Sequence, residues 1–427
     1  MIVAKFGGTS LASAERFCHA ANLIRQDPNR RYVVVSAPGK RDDSDIKITD
    51  QLLRYSETGD DADIGCVEAR FREIAEELEI GLDISKEFDE IRHASHRREY
   101  LASRGEYFSA KLMAAFLGWP FVDAAECVFF NEYGQVDLIK TQHALFEALR
   151  KLPHAVIPGF YGVMPDGEIH TFARGGSDIT GALVAGAMDA QIYENWTDVD
   201  GMLVTDPRIV PQAAPLHAIT YRELRELAYR GASVLHEDSV VPVRRSGIPI
   251  HICNTFRPQA PGSWIVKEAK ETPAPITGIA GRRNYSTIQI ERENTNSMVG
   301  YVRRILSCLE QLGIPFEHLA TGLGSVCLVV PTQALEAHRA QLQEAIFQAI
   351  HPDSLVISDG LAMIAVVGRG MVGRPDVRAR VFDALRSANI SARVIDQGAT
   401  EMNVVIGVDE DRYEDAVRAI HREFFES

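Results

Sequence analysis

Apolar residues over the first 266 positions fall into short runs separated by stretches of helical spacing. Ile2–Phe6 is a short apolar run that enters Gly7-Gly8, and Tyr32–Ser36 contains Val33-Val34-Val35, the pattern of a strand covered on both faces. Phe121–Asp123, Ala155–Pro158, Gln191–Glu194 and Ile250–Cys253 are further strand candidates. Ala14–Arg25, Asp50–Glu57, Asp63–Leu78, Glu106–Leu117, Asp178–Met188 and Tyr221–Tyr229 carry helical spacing. Strands alternating with helices over this length predict an α/β sandwich around a mostly parallel central sheet, residues 1–266.

Residues 267–275, Lys-Glu-Ala-Lys-Glu-Thr-Pro-Ala-Pro, are charged, proline-rich and without periodicity, and read as a linker. An internal repeat follows in 276–427. Met298-Val299-Gly300 opens a helical run that ends at Gly313-Ile314 and leads to the apolar strand Ser325–Val330; Met371-Val372-Gly373 opens a second run that ends at Asn389-Ile390 and leads to Glu401–Ile406. Ile314 to Ser325 and Ile390 to Glu401 are both 11 residues apart. Each copy, about 285–350 and 354–427, reads as a ferredoxin-like βαββαβ unit, with 276–281 open to assignment to the second.

Charge narrows the partners. The 427 residues carry 59 acidic against 45 basic side chains, a net charge of −14, which argues against nucleic acid or an anionic membrane as the main partner. The six cysteines form no C-x-x-C pair and are too few for a disulfide scaffold, so reduced thiols and a cytoplasmic location are expected. No apolar run approaches a membrane span.

Candidate chemistry lies at two glycine turns. In Lys5-Phe6-Gly7-Gly8-Thr9-Ser10 the paired glycines let backbone N–H groups approach an anion, and Lys5 can neutralise phosphate oxygens. In Arg174-Gly175-Gly176-Ser177-Asp178 a capped helix begins beside a guanidinium suited to a carboxylate. Trp196–Gly201 and Thr205–Arg208 are polar turns that suit ribose and adenine. Gly368-Arg-Gly370-Met-Val-Gly373 matches the dinucleotide fingerprint, but the 54 residues that follow cannot complete a doubly wound domain, so these glycines read as repeat turns. His93 and His96 sit among Arg92, Arg97 and Arg98, whose charge opposes a metal. No metal site is expected.

These motifs, with Ser36-Ala37, Ser103-Arg-Gly-Glu106, Pro158-Gly-Phe160-Tyr-Gly162 and Asp206-Pro-Arg208, resemble in order and approximate spacing the monofunctional aspartate kinase family. The resemblance covers essentially the whole chain, and the trailing repeat is similar to the family's paired ACT domains. It implies an amino-acid-kinase fold followed by two ACT units. The implied reaction is ATP-dependent phosphorylation of the L-aspartate side-chain carboxylate to 4-phospho-L-aspartate, which opens aspartate-family amino-acid biosynthesis, with Mg²⁺ held by phosphates and water. Residue by residue it implies Lys5 and Asp178 as the catalytic pair. Gly7, Gly8, Thr197, Asp198, Leu203 and Arg208, with Lys5, are implied in the nucleotide site. Glu106 is implied on the substrate α-ammonium and Arg174 on its α-carboxylate, with Ser36, Thr49, Phe160 and Ser177 completing that pocket. A feedback amino acid, lysine or threonine, is implied at the ACT units near Ser297, Met298, Gly300, Val302, Pro315, Phe316 and Glu317, with assembly into a homodimer or larger through them.

The chain departs from the family pattern where many members have Gly-Ala-Lys and it has Gly231-Ala232-Ser233. Ser233 can give the nucleotide only a hydrogen bond, and Lys40 or Arg41 is the expected source of the missing charge. A glutamate or carbamate kinase of the same fold, and a non-catalytic amino-acid sensor, are the competing functions. The ACT repeats with Arg174 and Glu106 argue against the first, and Lys5 with Asp178 against the second.

Overall fold

A computed structural model describes residues 1–93, 97–173, 175–231, 235, 237–269, 274–293 and 299–426. They form two compact units. The first is Met1–Leu203, Pro215–Ala228 and Ser233–Glu271; the second is Val204–Ala214, Tyr229–Ala232 and Thr272–Ser427.

The first unit contains β1 (Ile2–Phe6), β2 (Arg30–Val35), β3 (Ala155–Pro158), β4 (Tyr161–Val163), β5 (Ile169–Thr171), β6 (Ile192–Thr197), β7 (Ala218–Thr220), β8 (Ile250–Asn254) and β9 (Ser263–Val266). Its helices are α1 (Ala14–Gln26), α2 (Ile48–Thr58), α3 (Asp61–Glu77), α4 (Ser85–His93), α5 (Arg98–Leu117), α6 (Leu138–Leu149), α7 (Gly176–Ala187), α8 (Tyr221–Tyr229) and the single turn α9 (Val241–Arg244). Seven strands pair in the order β3-β2-β1-β6-β8-β9-β7, all parallel except β8 with β9, and β4 with β5 forms a separate hairpin. Alternation along the strands sorts the two faces. Ala4, Phe6, Val33, Val35 and Trp196 join a core with Phe17, Phe71, Phe88 and Phe108 from the helices. Lys5 and Asn195 point to the other face, where α7 lies. The expected strand at Phe121–Asp123 is a single bridge from Phe121 to Val156. It stops there because the Asp123 carboxylate caps the next turn, accepting from the Ala125 N–H at 3.0 Å.

The second unit contains β10 (Gly278–Glu291), α10 (Tyr301–Gln311), β11 (His318–Gly322), β12 (Ser325–Pro331), α11 (Thr332–Glu336), α12 (Arg339–Ile350), β13 (Ser354–Val367), α13 (Pro375–Ser387), β14 (Val394–Asp396), β15 (Asn403–Asp409) and α14 (Tyr413–Phe425). One antiparallel sheet runs β11-β12-β10-β13-β15-β14. The two 14-residue strands β10 and β13 lie side by side through both copies. The C-terminal half of β10, Tyr285–Glu291, pairs with β12, while its N-terminal half, Gly278–Arg282, pairs with Met363–Val367 beside β15. The first copy is thus threaded between strands of the second.

The Gly368–Gly373 pattern has a local explanation. A Cβ on Gly368 would sit 2.6 Å from Ile276 Cα, one on Gly370 2.6 Å from the Pro275 carbonyl oxygen, and Gly373 has φ +70°. Gly368 and Gly370 thus admit the backbone of residues 274–277, and Gly373 takes a left-handed turn. Burial pushes the Cys127 thiol up to about 12 and raises Cys253 as well, and all six thiols are unpaired. Among the described residues no helix is long and apolar enough to cross a membrane.

Candidate active site

β1 and β2 end side by side, and their following turns touch backbone to backbone. The Gly39 N–H donates to the Gly8 carbonyl at 2.8 Å, and the Gly7 N–H to the Trp196 carbonyl at the end of β6 at 3.0 Å. A Cβ on Gly8 would lie 2.7 Å from the Ala37 carbonyl oxygen, so only glycine lets the two turns close. The Ser36 N–H is held by the Phe6 carbonyl at 3.1 Å. The cleft so formed lies at the carboxyl ends of parallel strands, where sheets of this kind bind ligands.

Lys5 is 7% exposed, and its Nζ lies 2.6 Å from Asp178 Oδ1 in the first turn of α7. That turn begins at Gly175, φ +60°, and Ser177 packs so tightly under Gly159 that a Cβ there would meet its Oγ at 2.6 Å. Phe160 takes φ +77°, an unusual backbone for a bulky residue, held by its N–H donating to Thr180 Oγ1 at 3.2 Å.

Glu106 lies on α5, brought against the β2 turn because residue 105 is glycine: a Cβ there would be 2.7 Å from that of Ala37. Its Oε2 is buried with no hydrogen-bond partner. Burial pushes the Glu106 carboxyl up to about 8, against the opposing pull of the Ala37 backbone and the Lys5 charge. The carboxyl lines a cavity of about 470 Å³ with Gly8, Ala37, Lys40, Lys47 and Thr49. A cavity of about 970 Å³ in the same unit is lined by Phe160, Phe172, Ala173 and the His170–Glu99 pair, whose Nδ1 and Oε2 are 2.6 Å apart. The structure therefore brings Lys5, Gly7, Gly8, Ser36, Thr49, Glu106 and Asp178 to one group of strand ends. Phe160 lines a different cavity from Glu106.

Thr197 and Asp198 follow at the end of β6, their side chains 3.3 Å apart, and Leu203 bridges to Pro215. Arg208 falls in the second unit, where its exposed guanidinium pairs with Asp206 at 2.6 Å. Arg174, Ser233, Ser297, Met298 and His96 lie outside the described residues. Arg41 is not a spare cation, because Asp45 and Glu73 bind it at 3.2 and 3.3 Å. Asp45 is shared with Arg70 at 2.8 Å; although burial opposes ionisation, these bonds hold its carboxyl well below the usual range. Lys40 and Arg41 both line the smaller cavity. In the second unit Gly300, φ +79°, starts α10, Val302 is half-buried, and Pro315 and Phe316 are exposed. The Glu317 carboxylate is taken by Arg230, both side chains about a tenth exposed.

Two features escape a reading of the string. One is Asn195, bonded to Asp178; nothing in the mixed β6 sequence, Ile-Tyr-Glu-Asn-Trp-Thr, singles it out. The other is the Arg70–Asp45 pair, which ties the segment after β2 to α3 and joins residues far apart in the chain.

The profile of the Amino acid kinase family matches residues 1–254, and an ACT domain profile matches residues 364–424. Aspartokinase 3 of Bacillus subtilis is 34% identical over 448 residues, covering 100% of this chain and 99% of that protein. The crystal structure of Clostridium acetobutylicum aspartate kinase superposes with a TM-score of 0.93 at 41% identity, covering 99% of this chain and all of that one. E. coli aspartokinase III, 26% identical, gives a TM-score of 0.81 in complex with aspartate and ADP (R-state), with 99% of each chain covered. With lysine and aspartate (T-state) the TM-score is 0.76, covering 100% of this chain and 99% of that one.

Proposed function

The chain belongs to the aspartokinases of the amino acid kinase family, and from that premise we propose that it transfers the γ-phosphoryl group of MgATP to the side-chain carboxylate of L-aspartate. The products are 4-phospho-L-aspartate and ADP, the first step of aspartate-family amino-acid biosynthesis. The observation that carries the reading is the buried Lys5–Asp178 pair at the glycine turn, with the Glu106 carboxyl, its Oε2 without a hydrogen-bond partner, in the adjoining cavity.

The nucleophile is a carboxylate already ionised at neutral pH, so no general base is required. What remains for the protein is alignment and neutralisation of charge. Lys5 meets the transferring phosphoryl group while the Gly7 and Gly8 backbone lies against the phosphates. Asp178 holds Lys5 in place. Glu106 receives the α-ammonium of aspartate, and Arg174 pairs with its α-carboxylate. Ser36, Thr49 and Ser177 complete the substrate site, with Phe160 joined to it through Gly159, on which Ser177 packs. Thr197, Asp198, Leu203 and Ser233 serve the nucleotide.

Mg²⁺ arrives as part of the nucleotide substrate, held mostly by its phosphates and by water. An end-product amino acid, lysine or threonine, binds the ACT repeats and restrains activity, and the chain assembles through them as a homodimer or larger. Restraint requires the effector to prefer one of two conformations.

The test is hydroxamate trapping of an acyl phosphate from ATP with aspartate, glutamate or carbamate in turn, then with lysine or threonine added. Trapping from aspartate alone, reduced by one of the two amino acids, supports the reading. Absence of product from aspartate in a folded sample defeats it.

A further inference from the structure

β6 is an interior strand, paired with β1 on one side and β8 on the other, and its register sets Asn195 directly beside Lys5. Asn195 is 4% exposed. A buried amide is costly unless bonded, and this one is bonded on both sides. Its Nδ2 donates to Asp178 Oδ1 at 2.9 Å, and its Oδ1 lies 3.5 Å from Lys5 Nζ, a long contact. With Lys5 Nζ 2.6 Å from the same Asp178 oxygen, side chains from β1, β6 and α7 close a triangle. Lys5 Nζ also lies 3.6 Å from where a Cβ on Gly7 would stand, so the ammonium is next to the glycine turn.

We propose that Asn195 is a positioning residue for phosphoryl transfer: it fixes the Asp178 carboxylate and offers Lys5 a second acceptor, which keeps the ammonium aimed at the turn. This rests on the functional reading above and deepens it. The residue type follows from the chemistry. A carboxamide donates to a carboxylate and accepts from an ammonium without adding charge. Leucine would leave both ions with one partner fewer in a buried place. Aspartate would set a second carboxylate beside Asp178 and draw off the positive charge that the phosphoryl group needs.

Asn195→Leu and Asn195→Asp test this, each compared with the parent for thermal unfolding. Asn195→Leu is expected to lower kcat about 10- to 100-fold while both KM values stay within about threefold, because reacting groups are misaligned and not unbound. Asn195→Asp gives the sharper reading. Protonated, the new carboxylic acid has the amide's donor and acceptor pattern; ionised, it does not. Its kcat relative to the parent is therefore expected to rise about tenfold or more from pH 8.5 to pH 6. Parent-like kcat in Asn195→Leu, or an Asn195→Asp ratio that is the same at every pH, overturns the inference. A parent that makes no acyl phosphate from aspartate counts instead against the functional reading. The triangle is then read from the Lys5 Nζ proton–nitrogen NMR resonance, which moves in Asn195→Leu if the inference holds and stays put if it fails.

Discussion

Burial holds a proton on Glu106, and that proton links stability to substrate binding. The carboxyl titrates near 4.5 when exposed and near 8 in the fold. Between these values the folded chain carries a proton that the unfolded chain has lost, so stability falls as pH rises through that window and the full cost is present above 8. The midpoint of thermal unfolding of the ligand-free protein is therefore expected to fall from pH 5 to pH 8.5. Glu106→Gln is expected to flatten that slope and to be the more stable form at pH 8.5; an equal slope in both would mean that Glu106 is ionised in the fold. Aspartate brings an ammonium to the same carboxyl and should drive its proton off. Calorimetry at pH 7 in buffers of different ionisation enthalpy is expected to show release of close to one proton. Lys5 carries a different expectation. Lys5→Ala removes the charge beside the phosphoryl group and should lower kcat by about 10²- to 10³-fold or more with an unchanged far-ultraviolet spectrum. A loss under tenfold would place the phosphoryl group elsewhere.

Helix α5 shows how one missing side chain sets a distance between elements. Gly105 costs the helix about 1 kcal/mol relative to alanine, yet a Cβ at 105 would overlap Ala37 Cβ at 2.7 Å, and neither group can rotate away. Overpacking of this kind costs roughly 1–3 kcal/mol, so it outweighs the propensity gained. Gly105→Ala is expected to lower stability by about 1–2 kcal/mol in urea unfolding and to raise the aspartate KM, because α5 and with it Glu106 must retreat from the β2 turn. Greater stability at an unchanged KM would show that the turn yields freely. α7 is placed by a similar device: Gly181 sits where a Cβ would meet the Tyr193 hydroxyl at 2.5 Å, and that hydroxyl donates to the Asp178 carbonyl at 2.9 Å.

The C-terminal repeat region is built so that its two copies share their longest strands. β10 and β13 are antiparallel partners from Gly278–Val367 at one end to Glu291–Ser354 at the other, with β12 attached to one half and β15 to the other. Loosening one copy should therefore loosen both. Leu328 is fully buried on β12 in the first copy. Leu328→Ala is expected to cost about 2–5 kcal/mol and to reduce hydrogen-exchange protection in β14 and β15 as well as in β11 and β12. Loss confined to the first copy would mean that the copies open independently. The same sharing offers a physical basis for an amino acid bound to one copy to be felt by the other.

Much of this molecule could be read from the string because it is local. A strand entering two glycines, a lysine one residue before that turn's apolar end, a helix start after Arg174-Gly-Gly, and a repeat with an 11-residue interval each depend on neighbours a few positions apart, and the family resemblance rests on them. Other features depend on pairings across the chain that no local pattern encodes. Lys5 meets Asn195 across 190 residues because parallel strands β1 and β6 are neighbours in the sheet. The Glu106 carboxyl is buried against the backbone of the β2 turn because Gly105 lets α5 approach it. Arg41, which looked free in the sequence, is spent on Asp45 and Glu73. The chain's residue types set which groups can be charged, bent or buried; the folding of distant segments together sets which charges meet, and a buried charge takes its chemistry from what it meets.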